Sequence, residues 1–467
     1  MSLSLLIAFA LYCTLLAFIC FLALKKNKNA ADYTLGNRSL NYWVTALAAQ
    51  ASDMGVWLFM GFPATVYATG ISGAWIAIGL TFFMGLSWLF VAPKLRIATE
   101  KYDSVTLPTF FEKRFNDPSG MLRITSALFC LLFFMFYIAA SFVALGYLFN
   151  DVFGISYLAG ISIGSCVVFY ILLGGFLSLA WIDTFQGFFL LMMLILVAST
   201  ALSHCGGIPA LTAAAHHGAS DSLFKSLENA IGWGLGYFGM PHVITKFMGI
   251  RDVRNMKKAM VVGLVWQIVA LSAAVCIGLI GTLYFTQGLE NNDLIFVILT
   301  KSFFNPFFAG IILCAIIATT INNMGALVLS CTSVLAEDFY SRFAGKKVIQ
   351  KLSVQNASRL GVLIICASAF VFALCNEGKG INSLVYYAWA GLGSSFGPLI
   401  LVSLHTKMTN RYAALAGILG GGLTAGLLPY ITTDILAMIP AFIVSLLCMG
   451  IVRGTFKNEV QRPQFQR

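Results

Sequence analysis

The chain has 467 residues, of which 59% are hydrophobic and only 10% charged, with a mean hydropathy of +0.87. A soluble protein of this length carries roughly a quarter charged residues and divides into domains joined by polar linkers, so a soluble enzyme is excluded. The net charge of +11 gathers on one side of the predicted spans, which removes a nucleic-acid reading, and the eleven cysteines, mostly inside apolar runs, form neither a disulfide framework nor a zinc site.

A membrane crossing needs about 20 mostly apolar residues. Thirteen such spans are predicted, near residues 3–24, 40–68, 73–93, 124–149, 156–176, 183–203, 229–245, 259–287, 305–335, 360–375, 382–404, 412–430 and 433–452. The first is too long for a signal peptide, and Lys25, Lys26 and Lys28 follow it in place of a small-residue cleavage site. The second holds the one carboxylate deep in a span, Asp53, within Ala49-Gln50-Ala51-Ser52-Asp53-Met54-Gly55-Val56-Trp57. A mid-span Asp costs about 2.5–3.5 kcal/mol on insertion scales and is functional by default. Gly55, Gly61 and Pro63 follow it, so the helix is expected to break at mid-membrane. Unwound carbonyls there can coordinate a cation, and half-helix ends can face a solute. The competing reading is an Asp that merely holds the bundle together. Against it, no basic partner is found within any predicted span.

Residues 94–123 mix Leu107, Phe110, Phe111 and Phe115 with Glu112, Lys113 and Arg114. They read as an amphipathic segment lying on the membrane face, with a gate as the alternative. Asp183 opens the sixth span. It either caps that helix N-terminus or belongs to a cation exit path. The seventh span places Gly232, Gly234, Gly236 and Gly239 before Pro241 and His242, a second broken helix. Trp233, Tyr237 and Pro241, spaced i, i+4 and i+8, share a face and can wall a pocket for a compact, partly apolar solute. An interfacial aromatic belt is the alternative. In the ninth span Thr319, Asn322 and Asn323 can turn three oxygens to one helix face, a donor set suited to a hard cation such as Na⁺. Interhelical hydrogen bonding explains them equally well. The five histidines show no metal-site spacing, and no nucleotide loop or Ser/His/Asp grouping is present.

Assigning alternate loops to the cytoplasm from residue 25 onward puts 26 of the 29 Lys and Arg there, including the cluster 246–258. Only Lys225, Lys301 and Lys379 fall outside. The asymmetry predicts an external N-terminus and a cytoplasmic C-terminus, and the charge favours contact with anionic lipid of the bilayer. Spans two to six and seven to eleven form two blocks of five, each opening with a broken helix. An odd number per block turns the second upside down, the inverted-repeat arrangement of secondary transporters. The organisation expected is a flanking helix (1–30), two five-helix repeats (31–205 and 206–410), and two C-terminal helices with a tail (411–467).

Several stretches together resemble the sodium:solute symporter family, most closely its bacterial sodium/proline symporter branch. They are Tyr33-Thr34-Leu35-Gly36-Asn37-Arg38-Ser39-Leu40, Ala51-Ser52-Asp53-Met54, Trp75-Ile76-Ala77-Ile78-Gly79-Leu80, Gly174-Gly175-Phe176, Trp181-Ile182-Asp183-Thr184, residues 232–242, Ala336-Glu337-Asp338-Phe339-Tyr340 and Tyr387-Ala388-Trp389-Ala390-Gly391. The resemblance implies an all-α polytopic protein of the LeuT type, with a five-helix inverted repeat and uptake by alternating access. It implies backbone carbonyls of Ala51 and Met54 and the side chain of Asp53 at a cation. It also implies a proline-type pocket lined by Trp57, Tyr137, Trp233, Tyr237 and Pro241, with Arg38 and Asp183 tied to coupling and cytoplasmic ion release.

Four features depart from the family pattern. Gly55-Val56 stands where Ser-Gly is usual, Met240 where the proline branch has Gln, and Asn322-Asn323 where a Ser-Thr pair ligates Na⁺. Thr319 replaces the usual Ala before that pair. If the amide oxygens face inward the site still closes around Na⁺; if the NH₂ groups do, Asp53 is left to carry a proton. The expected function is therefore import of a small amino acid, proline first, in a bacterial inner membrane, with Na⁺ as the coupling ion. Proton-coupled or uncoupled uptake of another solute such as pantothenate, or a decayed or sensor-like homologue, are the alternatives. No enzymatic activity, resident cofactor or obligatory protein partner is expected.

Overall fold

The computed structural model describes residues 38–217, 222–340, 354–378 and 380–455, with positions 7, 10, 11 and 14 in addition. The predicted first span, apart from those four helical positions, and the C-terminal tail lie outside the described residues. Among the described residues the chain is helical, with one isolated β-bridge. Eight helices among the described residues are long and apolar enough to cross a membrane.

The predicted second span is a broken helix. In α1 (Tyr42–Val56) the Asn41 side chain accepts from Val44 N at 2.9 Å, satisfying one donor that a helix start leaves orphaned. Gly55 then takes φ 37° and ψ −144°, a backbone region open essentially to glycine alone. A wide turn over Trp57–Gly61 follows, then α2 (Phe62–Thr69), with Pro63 at its start, where a missing N–H costs nothing. The predicted seventh span breaks in the same way. It consists of α9 (Leu223–Gly234), a 3₁₀ turn Leu235–Phe238, and α10 (Pro241–Met248). The glycines also permit close packing, since a Cβ on Gly236 would sit 2.1 Å from Trp389 Nε1. A backbone bridge joins the two broken helices: Leu40 N donates to Gly249 O at 3.2 Å and Arg251 N to Leu40 O at 2.8 Å.

Around them stand α3 (Ile71–Leu86), α4 (Ala92–Lys101), α5 (Leu107–Arg114), α6 (Met121–Phe153), α7 (Tyr157–His204) and α8 (Gly207–His217). After α10 come α11 (Met256–Tyr284), α12 (Ile295–Phe303), α13 (Pro306–Val334), α14 (Val354–Cys375), α15 (Ile381–His405), α16 (Arg411–Leu427) and α17 (Met438–Thr455). Of the candidate crossings, the one built on α13 is the most enclosed, with 89% of its apolar window buried. It is therefore the central post of the bundle.

The predicted fifth and sixth spans fall within one helical element: α7 is helical for 48 residues, and no proline interrupts 156–203. A straight helix of that length would reach about 72 Å. Yet Asp151, just before α7, pairs with Lys301, while His204 at its end stacks on Phe303 of the same nine-residue α12. The two arms of α7 therefore double back on each other. One expectation is corrected: the apolar residues Leu107, Phe110, Phe111 and Phe115 of 94–123 are buried against protein and offer no apolar face to lipid. Phe110 and Phe111 are fully buried, Phe111 stacks on Phe396 at 6.1 Å, and Thr106, Thr109 and Arg123 all donate to Asp338 Oδ1. The apolar face of α5 meets protein, not lipid.

Candidate solute and cation site between two broken helices

The breaks in α1–α2 and α9–α10 face each other. Asp53, two residues before the break at Gly55, is 4% exposed. Its Oδ2 accepts the Tyr237 hydroxyl at 2.6 Å, and its backbone carbonyl accepts the Tyr137 hydroxyl at 3.3 Å. Behind Tyr237 runs a polar chain that the sequence reading missed. Gln267 Nε2 donates to the Tyr237 oxygen at 3.2 Å, and Gln50 Nε2 donates to Gln267 Oε1 at 3.2 Å and to Gly263 O at 3.0 Å. Because Gln267 gives its NH₂ to the phenol, Tyr237 keeps its own proton for Asp53. Glutamines inside apolar spans were the available signal, but nothing in the sequence pairs positions 217 residues apart.

A narrow cavity opens on this pair, lined by Asp53, Met54, Trp57, Leu80, Tyr137, Trp233, Tyr237, Val385 and Trp389. Trp57 and Trp233 lie 4.9 Å apart, Tyr237 meets Trp389 edge-on at 5.3 Å, and Trp389 Nε1 donates to Trp233 O at 2.8 Å. Rigid aromatic walls with one carboxylate suit a compact solute carrying an ammonium and apolar carbon. Trp57 Nε1 also donates to Asn382 Oδ1 at 2.7 Å at the start of α15, where Asp293 Oδ2 accepts from Ile381 N at 2.9 Å.

Pro241 does not join Trp233 and Tyr237. The 3₁₀ turn and the step at Gly239 rotate it into a second cleft, with Thr106, Phe134, His242, Thr245, Lys246 and Ser333. His242, 1% exposed, stands edge-on to Tyr137 at 5.6 Å, and neither ring nitrogen has a hydrogen-bond partner.

The ninth-span residues reach three different partners. Thr319 donates back to Ala315 O at 2.9 Å. Asn322 turns its NH₂ to Asp183 Oδ1; only that end of an amide can donate to a carboxylate. Asn323 packs into the gap left by Gly55, whose Cβ, if present, would lie 1.7 Å from Asn323 Nδ2, and Asn323 Oδ1 has no partner. Ala51 is buried in the first broken helix. Asp183 lies inside α7, not at a helix N-terminus, and its Oδ2 accepts Lys246 Nζ at 2.8 Å. Lys246 was expected in a solvated cytoplasmic cluster but is only 2% exposed. A basic residue therefore does sit inside the bundle, and its partner is Asp183, not Asp53. Arg38 is apart from all of these. Its guanidinium donates to Thr99 O at 3.0 Å and Ser104 O at 3.2 Å, pinning the turn after α4.

A sequence model described as the Sodium:solute symporter family matches residues 33–421. Among curated relatives, the osmoregulated proline transporter OpuE of Bacillus subtilis is 38% identical, covering 97% of this chain and 94% of its own. The high-affinity proline transporter PutP of the same organism is 39% identical over 92% and 94%. The sodium/proline symporter of Escherichia coli is 38% identical over 91% and 87%. Among solved structures, a Na⁺-coupled sialic acid symporter superposes with a TM-score of 0.81 at 18% identity, covering 97% of this chain and 98% of that one. Mhp1, a nucleobase-cation-symport-1 family transporter, gives 0.59 at 14% over 92% and 96%. These structural likenesses speak for the fold.

Proposed function

Because the chain belongs to the sodium:solute symporter family, we propose that it imports proline in symport with Na⁺. The observation that carries this reading is the Asp53–Tyr237 pair, which ties the two broken helices together at an aromatic-walled cavity. The names of relatives 36–39% identical over nearly the whole chain support the solute and the ion. Trp57, Tyr137, Trp233 and Tyr237 hold the solute, with its ammonium towards Asp53 and its ring carbons against the indoles. Ala51 and Met54 offer carbonyls to Na⁺ beside the Gly55 break, with Asn323 Oδ1, still without a protein partner, as the side-chain donor. Pro241 starts the helix that walls the second cleft, the route by which the solute leaves.

The architecture we propose is a LeuT-type inverted repeat of thirteen spans, with units 31–205 and 206–410, in a bacterial inner membrane. The backbone bridge between residue 40, ahead of the first broken helix, and residue 250, beyond the second, supports it. Inversion brings the start of one unit's first helix to the end of the other's. Uptake of labelled amino acids into proteoliposomes tests the function, with a Na⁺ gradient at fixed pH set against a pH gradient without Na⁺. Proline uptake that follows Na⁺ is expected. The Asn322 and Asn323 amides favour one second reading, proton coupling, which the same experiment would reveal as uptake driven by the pH gradient alone.

A further inference from the structure

The start of α1 and the turn between α10 and α11 form a groove on the predicted cytoplasmic side, apart from the solute site. Leu40, Asn41 and Tyr42 line one wall, and Ile250, Arg251 and Arg254 line the other. Both walls are fixed by backbone contacts. Arg251 N donates to Leu40 O at 2.8 Å, and the buried Arg96 gives its Nε–H to Ile250 O at 2.8 Å. Four exposed cations, Arg251, Arg254, Lys257 and Lys258, fall within eight residues here. Asp252 pairs with Arg254 at 3.0 Å. Arg251, Lys257 and Lys258 have no carboxylate partner among the described residues. Lys258 Nζ stands 5.8 Å from the centre of the Tyr42 ring, at the rim of the groove. Charges of one sign gathered on a fixed groove attract an anion.

Beyond the charges the surface turns apolar. Val261, Val265 and Ile268 of α11 are exposed, and they follow Arg254 and Lys258 at spacings of three and four, which keeps all five on one helix face. From Lys258 to Ile268 the helix rises about 15 Å, one leaflet of a hydrocarbon core about 30 Å thick. Trp43, next to Tyr42 on α1, is exposed as well, and an exposed indole belongs at headgroup depth. A free anion would use the cations and ignore the apolar stripe; a charged phospholipid uses both. We propose that the groove binds the phosphodiester headgroup of an anionic phospholipid, with an acyl chain along Val261, Val265 and Ile268. The headgroup then touches the entry to the first broken helix and the turn beyond the second.

The experiment titrates the purified full-length protein in detergent with phosphatidylglycerol, phosphatidylcholine or inorganic phosphate. Bound lipid is counted by native mass spectrometry, and thermal stabilisation is followed in parallel. Phosphatidylglycerol is expected to bind and stabilise at concentrations where the other two do neither. Arg251→Gln/Lys257→Gln/Lys258→Gln should weaken its binding about a hundredfold, three cations at about 1 kcal/mol each. Arg251→Lys/Lys257→Arg/Lys258→Arg, which keeps the charge, should bind as the wild type does. So should Lys94→Gln/Lys101→Gln/Lys407→Gln, which removes as much charge elsewhere on the same predicted side. Should the first triple variant not fold, Arg251→Gln alone is expected to weaken binding about fivefold. Phosphatidylcholine that binds as well as phosphatidylglycerol overturns the proposal, because apolar contact alone would then hold the lipid. Inorganic phosphate that stabilises equally overturns it too, leaving a site for a free anion. Equal weakening in the Lys94, Lys101 and Lys407 variant would reduce the groove to a diffuse surface charge, and no weakening on loss of Arg251 would place the lipid elsewhere.

Discussion

At the scale of single residues, the interior is decided by which buried polar groups have partners. Asp53 has one direct side-chain partner, the Tyr237 hydroxyl, and that phenol is oriented by Gln267. Asp53→Asn replaces the charge with an amide of the same size. It is expected to abolish Na⁺-coupled uptake while the protein still inserts and folds, since losing a buried charge removes an insertion cost. Uptake at wild-type Na⁺ dependence, in membranes with normal expression, would make Asp53 structural. Asp293, in the turn before α12 and outside the spans, gives a pH prediction. Burial pushes its carboxyl up to about 6, against a smaller opposing effect from the Ile381 N–H. A raised carboxyl favours the packed state at low pH, so its contribution is full below about 4 and is lost as pH rises through about 6. The loss is on the order of 2–3 kcal/mol. Asp293→Asn should therefore gain thermal stability relative to wild type between pH 4.5 and 7.5. Melting curves that stay parallel across that range would contradict the buried, proton-holding carboxyl.

At the scale of elements, the broken helices were legible because their chemistry is local. Gly55, Gly61 and Pro63, and the glycines before Pro241, mark breaks in any context. The charge at Asp53 was legible for the same reason, being an expense that a span does not carry idly. What escaped the sequence depended on distant partners. The apolar stripe of α5 has the same periodicity whether it meets lipid or Phe396, and the hairpin of α7 is set by contacts at α12. Lys246 looked like one more member of a basic cluster, since only the fold shows that Asp183 faces it. The Gly55 break makes a sharp prediction. Alanine there meets both a backbone conformation closed to it and overlap with Asn323, whose Nδ2, Cγ and Cβ would lie 1.7, 2.6 and 3.0 Å from the new Cβ. Gly55→Ala should abolish transport and destabilise the protein, and adding Asn323→Ala should recover part of the stability. The expected coupling is about 1–3 kcal/mol in a double-mutant cycle. Additive effects would mean that Asn323 does not fill the gap.

At the scale of the whole molecule, function and topology depend on parity. Two units of opposite orientation in the membrane require an odd number of spans in each, and the flanking helices then fix where the termini lie. The charge asymmetry survives the correction at Lys246: with that buried residue set aside, 25 basic residues lie on the predicted inner side and 3 on the other. Loops rich in Lys and Arg are retained in the cytoplasm, so the bias points the same way as the repeat argument while resting on different residues. The doubled-back α7 is consistent with both. Its two arms return the chain to the side from which it came, so reading it as one crossing would change the parity of everything after it. The prediction is that reporters fused at residue 1 and at residue 467 label from opposite faces, the first outside and the second in the cytoplasm. A third reporter in the turn after α12, at Phe304, should label from the outside. If both termini label from one face, the span number is even and the inverted repeat is lost. If the termini separate but Phe304 reports inside, an odd number of crossings precedes it, and α7 crosses the membrane once.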